Sequence, residues 1–195
     1  CGFDQSNDAM QQANPSYKLR IALNEQKIGQ FIQQRKAQQN YQKKQLGIFT
    51  IPIVVHVLHT GEPVGTPFNP ADEQILAAID YLNPIYNGTH ASLTPAAINA
   101  AGDIGLHFVL AKRDTDCNPT TGIHRVDMSS NAAYVANGAS SGKIIEDIEM
   151  KAPLAWDRSK YYNIYVVNKI NGKNGTNGQF VAGYAYFPTS SVVDG

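Results

Sequence analysis

The pattern of apolar and polar residues divides the chain into helices and strands. Ile51–Leu58 is a nearly continuous apolar run of strand length, which is typical of a strand covered on both faces. Ile75, Ile79 and Leu82 recur at helical spacing, and we expect their helix to begin at Asn69 as its N-cap. Further strands are predicted at residues 104–110, 123–128, 161–170 and 181–187, and a short helix is predicted at residues 141–150.

The first 49 residues differ from the rest in both pattern and charge. Residues 1–15 are predicted to be extended, and apolar residues then recur on one face of a predicted helix from Pro15 to about Gln42. This part carries seven Lys or Arg and three Asp or Glu, whereas residues 50–195 carry nine and thirteen. We therefore predict two parts, a basic, polar extension at residues 1–49 and a domain at residues 50–195.

The order of the predicted elements indicates an α/β (α+β) fold. A long first strand, a helix and another strand open a βαβ-like unit, so we expect a mixed, twisted sheet of about four to five strands with a backing helix. The formal net charge is zero, which gives no sign of a nucleic-acid partner. The chain has no run of about 18 apolar residues, so no transmembrane segment is predicted.

Few residues indicate chemistry by themselves. The sequence contains no H-E-x-x-H, and no pair of cysteines has zinc spacing. His56 and His59 lie three residues apart, and such residues point to opposite faces of a strand, so a structural role is expected for them. Cys1, which precedes Gly2, has three interpretations from the residues alone: an inert thiol, a disulfide with Cys117, or a lipid-modified N-terminus.

Four blocks of sequence stand out by their order and spacing along the chain. The blocks are Ile51–Leu58 with His59-Thr60-Gly61, the helix at Gln74–Asn87, Ile104–Asp114 with Asn118–Ile123, and Trp156–Val167 with Gly183–Pro188. In these blocks, and in their order, the chain resembles the pappalysin family of metzincin zinc metalloproteases. The resemblance implies a helical pro-segment followed by the metzincin-like N-terminal, upper subdomain of a catalytic domain, truncated before the zinc-binding helix.

The resemblance implies hydrolysis of peptide bonds in a peptide or protein substrate, by a water molecule that zinc activates. The zinc ligands are expected beyond Gly195, in a helix with the pattern H-E-x-x-H-x-x-G-x-x-H, and calcium is left open as a second metal. This chain alone is therefore expected to be inactive without its missing C-terminal half. The whole protein is expected to be secreted or displayed on the cell surface, and to be held latent by its pro-segment.

The resemblance also implies roles for particular residues of this chain. The predicted strand at residues 182–187 would lie at the upper rim of the cleft and bind the backbone of an extended substrate by strand addition. Some family members stay latent through a Cys-Gly in the pro-segment whose thiolate binds the zinc, so Cys1 becomes a candidate metal ligand, with lipidation and a disulfide still open. The candidate substrate-binding residues are Ala182, Gly183, Tyr184, Ala185 and Tyr186.

A second hypothesis belongs to a different functional class. In it, the chain is a non-catalytic binding module with a metzincin-like half fold, either secreted or anchored to the cell surface as a lipoprotein. The two hypotheses differ in the sequence that each expects after Gly195. An H-E-x-x-H motif soon after that residue favours the protease, and a stop codon there favours the binding module.

Overall fold

The computed structural model describes residues 3–37, 48–95, 105–140, 144–176 and 178–185. None of the described helices is both long and apolar enough to cross a lipid bilayer. The predicted α/β fold is confirmed, since helices and a four-stranded sheet make up the described chain. The helices are α1 (Phe3–Ala13), α2 (Pro15–Ala37), α3 (Asp72–Tyr86), α4 (Ala132–Asn137) and α5 (Ile144–Lys151), and the strands are β1 (Phe49–His59), β2 (Leu106–Leu110), β3 (Ile123–Asp127) and β4 (Tyr162–Val167).

The sheet is built around β1, which pairs with β2 through residues 49–53, with β3 through residues 55–59 and with β4 through residues 53–58. Ile53 O accepts a hydrogen bond from Ala111 N, and Val55 N donates to Gly122 O, both at 2.8 Å. Residues two apart in a strand direct their backbone groups to the same side. Therefore β2 and β3 lie end to end along one side of β1, and β4 lies on the other side.

Every ladder between the described strands is parallel, whereas the sequence indicated a mixed sheet. Parallel neighbours need a crossover of a dozen or more residues, usually with a helix, to return the chain to the same end of the sheet. The chain between β1 and β2 contains α3, and the chain between β3 and β4 contains α4 and α5. These crossovers account for the parallel order.

One face of the sheet is covered by α3. Asn83 of α3 fixes the helix to β2, because its Nδ2 donates to Phe108 O at 2.9 Å and its Oδ1 accepts from Phe108 N at 2.7 Å. The opposite face of β1 is also inaccessible to solvent, since Val54, His56 and Leu58 are 0% exposed. The core between the sheet and α3 consists of Ile53, Val55, Val57, Ile75, Ile79, Phe108 and Leu110.

Asn69 does not cap α3, contrary to the sequence prediction. The helix begins two residues later, with Ala71 at the N-cap position, and the Gln74 side chain accepts the Ala71 N–H at 2.9 Å. Asn69 is instead buried in the preceding loop, where its Nδ2 donates to Glu62 O at 2.7 Å and its Oδ1 accepts from Arg125. The side chain that could have capped the helix therefore joins the loop to β3.

The predicted extended lead is largely helical. Asn14 separates α1 from α2 and caps α2, because its Oδ1 accepts the Tyr17 N–H at 3.1 Å and Pro15 occupies the first helical position. The two helices pack against each other, and Met10 and Tyr17 are fully buried. α1 has only two large apolar residues, Phe3 and Met10, which are too few to indicate a helix from the sequence alone. The predicted end of α2 at Gln42 lies outside the described residues.

Tyr134 explains why α4 forms although the sequence did not indicate it. The Tyr134 side chain is buried, and its hydroxyl donates to Leu58 O at 2.7 Å at the end of β1. Burial raises the pKa of Tyr134 to about 12, so the hydroxyl remains a donor at neutral pH. Tyr134 thereby joins a helix of only six residues to the end of β1.

The chain forms two compact units. The first unit comprises Cys1–Lys44, Ala136–Leu154 and Lys169–Gly195, and the second comprises Gln45–Val135 and Ala155–Asn168. All four strands and α3 belong to the second unit, whereas α1, α2 and α5 belong to the first. The predicted division into residues 1–49 and 50–195 stays a prediction.

Candidate functional site

Four of the five predicted substrate-binding residues lie together in the segment 181–185. The backbone groups of residues 181–183 and Ala185 have no hydrogen-bond partner among the described residues. Consequently the predicted strand at residues 181–187 is not formed in its described part, because a strand requires a ladder partner and none is present there. The fifth residue, Tyr186, lies outside the described residues.

Tyr184 is attached to a buried ion pair of the same unit. Its hydroxyl donates to Asp147 Oδ1, and Lys151 Nζ lies 4.8 Å from the centre of its ring. Lys151 Nζ also lies 2.9 Å from Asp147 Oδ2, and the exposed fractions of the two charged side chains are 11% and 0%. Tyr184 therefore directs its side chain into the protein, whereas Ala182, Gly183 and Ala185 on either side of it are exposed.

The structure describes one of the two cysteines. Cys1, the predicted latency residue, lies outside the described residues. Cys117 is an exposed, free thiol in the loop after β2, where the residue has a positive φ of 66°. The Cys1–Cys117 disulfide that the sequence left open stays a prediction, because it depends on a residue that the structure does not describe.

The described residues contain no group of three or more His, Cys, Asp or Glu side chains that could hold a metal ion. His56 and His59 do not share a ligand position: His56 is fully buried in the sheet, whereas His59 is partly exposed at the end of β1, where its Nδ1 accepts the Gly61 N–H at 3.1 Å. The zinc implied by the resemblance therefore has no ligand set in the described part of the chain.

A buried polar network surrounds His56. Its Nδ1 lies 3.0 Å from His124 Nδ1, and its Nε2 lies 2.9 Å from Asn163 Oδ1. The imidazole ring stacks on Tyr165 at 4.8 Å and meets Trp156 edge-on at 6.4 Å. The network joins β1, β3 and β4 inside the second unit.

The hydrogen bonds of Asn163 determine which tautomer a neutral His56 adopts. Asn163 Nδ2 donates to the carbonyls of Trp156 and Tyr161, so its Oδ1 is the acceptor for His56 Nε2–H. His56 Nδ1 then has no proton and accepts from His124 Nδ1–H. This arrangement gives both ring nitrogens of a neutral His56 a hydrogen-bond partner.

The pKa of His56 is lowered from 6.5 to about 4. Burial is the largest cause because it disfavours the charged ring, and the nearby His124 acts in the same direction. The hydrogen bond to Asn163 opposes the shift without cancelling it. His56 is therefore neutral at pH 7 and holds the strands together as a hydrogen-bonding group.

Sequence reasoning missed this network and the Asp147–Lys151 pair. The available signal was a polar residue inside each apolar strand, His56 in β1 and Asn163 in β4. Their contact depends on the register, which places Asn163 beside Val54 and Tyr165 beside His56. No local pattern in the sequence specifies that register.

Comparisons with protein-family models and with curated proteins give no match. Among solved structures, a mutant of Tannerella forsythia promirolysin is similar to this chain, with a TM-score of 0.55 and 26% sequence identity, covering 87% of this chain and 50% of that chain. Mirolysin in complex with compound 9 has a TM-score of 0.49 and 29% identity, with coverages of 61% and 42%. Tannerella forsythia mature mirolysin in complex with a cleaved peptide has a TM-score of 0.46 and 28% identity, also with coverages of 61% and 42%.

The chain thus spans half the length of the promirolysin chain that it matches. Its α/β fold is that of this metalloprotease precursor over most of the 195 residues. The predicted resemblance to the pappalysin-type metzincin proteases is confirmed by this similarity.

Proposed function

We propose that the chain is the pro-segment and the N-terminal part of the catalytic domain of a secreted, zinc-dependent endopeptidase of the pappalysin family. The observation that carries the proposal is the similarity to promirolysin over 87% of the chain. Because the match covers half of promirolysin, the activity of the whole protein is part of the proposal.

In this proposal, residues 182–186 bind the substrate through its backbone. The exposed N–H and C=O groups of Ala182, Gly183 and Ala185 have no partner among the described residues and can pair with an extended peptide. Strand addition of this kind gives affinity through main-chain hydrogen bonds, with side chains alternating between the two faces. A peptide or protein segment in an extended conformation is therefore the proposed partner.

The contribution of this chain to the reaction is binding and orientation. The 195 residues contain no H-E-x-x-H motif, and the described residues offer no ligand set for zinc. The proposal accordingly assigns the metal to residues beyond Gly195 in the full-length protein, and assigns none of the described side chains to the bond-breaking step. Cys1 is proposed as the latency residue, as the resemblance implies.

The test is the full-length gene product, purified from the extracellular fraction. We expect about one bound zinc per molecule by elemental analysis, cleavage of a fluorogenic extended peptide, loss of cleavage with phenanthroline and its return when zinc is added. A full-length protein that binds no zinc and cleaves no peptide contradicts the proposal. If such a protein still binds extended peptides, the binding-module hypothesis replaces the protease proposal.

A further inference from the structure

Helix α5 contains a charged pair at a position where apolar residues are usual. Asp147 and Lys151 are four residues apart on the helix, and their side chains are 0% and 11% exposed. A buried ion pair adds little to stability compared with apolar residues of similar size. The charged side chains of this pair can, however, make a contact that apolar side chains cannot make.

Tyr184 provides that contact. Within the described residues, Asp147 Oδ2 has Lys151 as its partner, and Oδ1 accepts the Tyr184 hydroxyl. The Lys151 ammonium group also lies over the Tyr184 ring, at a distance suited to a cation–π interaction. Both members of the pair therefore hold one side chain of the segment 181–185.

The rest of this segment has nothing comparable to fix it. The backbone groups of residues 181–183 and Ala185 have no hydrogen-bond partner among the described residues, and Gly183 has open space around its Cα. A segment with free backbone groups binds an extended peptide tightly only if it is ordered beforehand, because ordering it on binding reduces affinity.

We infer that Asp147 and Lys151 are positioning residues that hold Tyr184 and thereby keep residues 181–185 ordered for an extended peptide. The inference rests on the proposed function for the identity of the occupant. The ordering itself is a property of the chain and can be measured without any catalytic activity.

The first experiment measures 15N order parameters of the Ala182, Gly183 and Ala185 amides in the 195-residue chain. Tyr184→Phe removes the hydroxyl that Asp147 accepts, and these order parameters should fall from about 0.85 to below about 0.6. The matched control is Tyr162→Phe, since Tyr162 of β4 is 52% exposed, and it should leave them unchanged.

A second variant removes the charges and keeps the volume. In Asp147→Leu combined with Lys151→Met, the ion pair is replaced by apolar side chains, a change that buried pairs often tolerate without loss of stability. We expect a folded chain that loses order in residues 181–185 as Tyr184→Phe does. Order parameters that stay at wild-type values in both variants would overturn the inference.

The second experiment uses the full-length protein and an extended fluorogenic peptide. Tyr184→Phe should raise KM about tenfold with kcat changed less than twofold, because the hydrogen bond to a charged group orders the binding segment and takes no part in bond breaking. A lower melting temperature with unchanged KM would show a merely structural role and would contradict the inference. If the wild-type protein cleaves nothing, the proposed function fails, and the order parameters still decide whether Asp147 and Lys151 position the segment.

Discussion

Among individual residues, His56 has the clearest effect on how stability depends on pH. Between pH 6.5 and about 4, His56 binds a proton in the unfolded chain and remains neutral in the folded one. The contribution of neutral His56 to the free energy of unfolding is therefore complete above pH 6.5 and is lost as the pH falls towards 4. The loss amounts to roughly 3 kcal/mol, since one pKa unit corresponds to about 1.4 kcal/mol.

The measurement is urea unfolding of the 195-residue chain at several pH values in this window, followed by the fluorescence of the single tryptophan, Trp156. His56→Gln should be less stable than wild type at pH 7, and its stability should fall less on acidification. His107→Gln removes an exposed histidine of β2. Its free energy of unfolding should fall on acidification by as much as that of the wild type. A wild-type stability that rises between pH 6.5 and 4 would contradict the assignment of a neutral, buried His56.

Among the elements of the fold, the junction of β2 and β3 depends most strongly on one glycine. Gly122 has φ of +76°, and a Cβ on it would lie 2.7 Å from Ala111 N. Gly122 lies where the end of β2 meets the start of β3 along one side of β1. Gly122→Ala should destabilise the chain by roughly 3 kcal/mol, combining a positive φ with a backbone clash.

Gly61 is the matched control for this substitution. It also has a positive φ, +96°, but nothing lies within 4 Å of an added Cβ. Gly61→Ala should therefore cost roughly 1 kcal/mol from the backbone conformation alone. Equal losses of unfolding free energy for the two variants in urea would contradict the end-to-end arrangement of β2 and β3.

The elements that could be predicted are those whose own residues determine their burial. The apolar run predicts β1, and the spacing of Ile75 and Ile79 predicts α3, because each of these elements has enough apolar residues to bury a face. α1 could not be predicted, since its helical state depends on packing against α2. The start of α3 shifted because Asn69 makes tertiary contacts with Arg125 that compete with capping.

For the whole molecule, the resemblance implied the proposed binding segment but not the groups that contact it. Tyr184 and Asp147 are 37 residues apart, and His56 and Asn163 are 107 residues apart. Contacts over such distances depend on the complete packing of each unit, which local patterns do not contain. Residues 182–185 are a proposed binding segment that the resemblance implied, and the buried pair that contacts Tyr184 became visible only in the structure.

Latency is proposed for the full-length protein, and Cys1 is its predicted determinant. If the Cys1 thiol holds the protein latent, Cys1→Ala should shorten the time to half-conversion of the precursor by about tenfold, as loss of one ligand contact worth about 1.4 kcal/mol would do. Gel electrophoresis at a series of times measures the conversion, and intact mass checks that the N-terminus carries no lipid. Cys117→Ala is the matched control because it removes an exposed, free thiol, and it should leave the rate unchanged. Equal conversion rates for wild type and Cys1→Ala, or a lipid mass on the wild-type N-terminus, would contradict the latency role and favour the surface-anchored alternative.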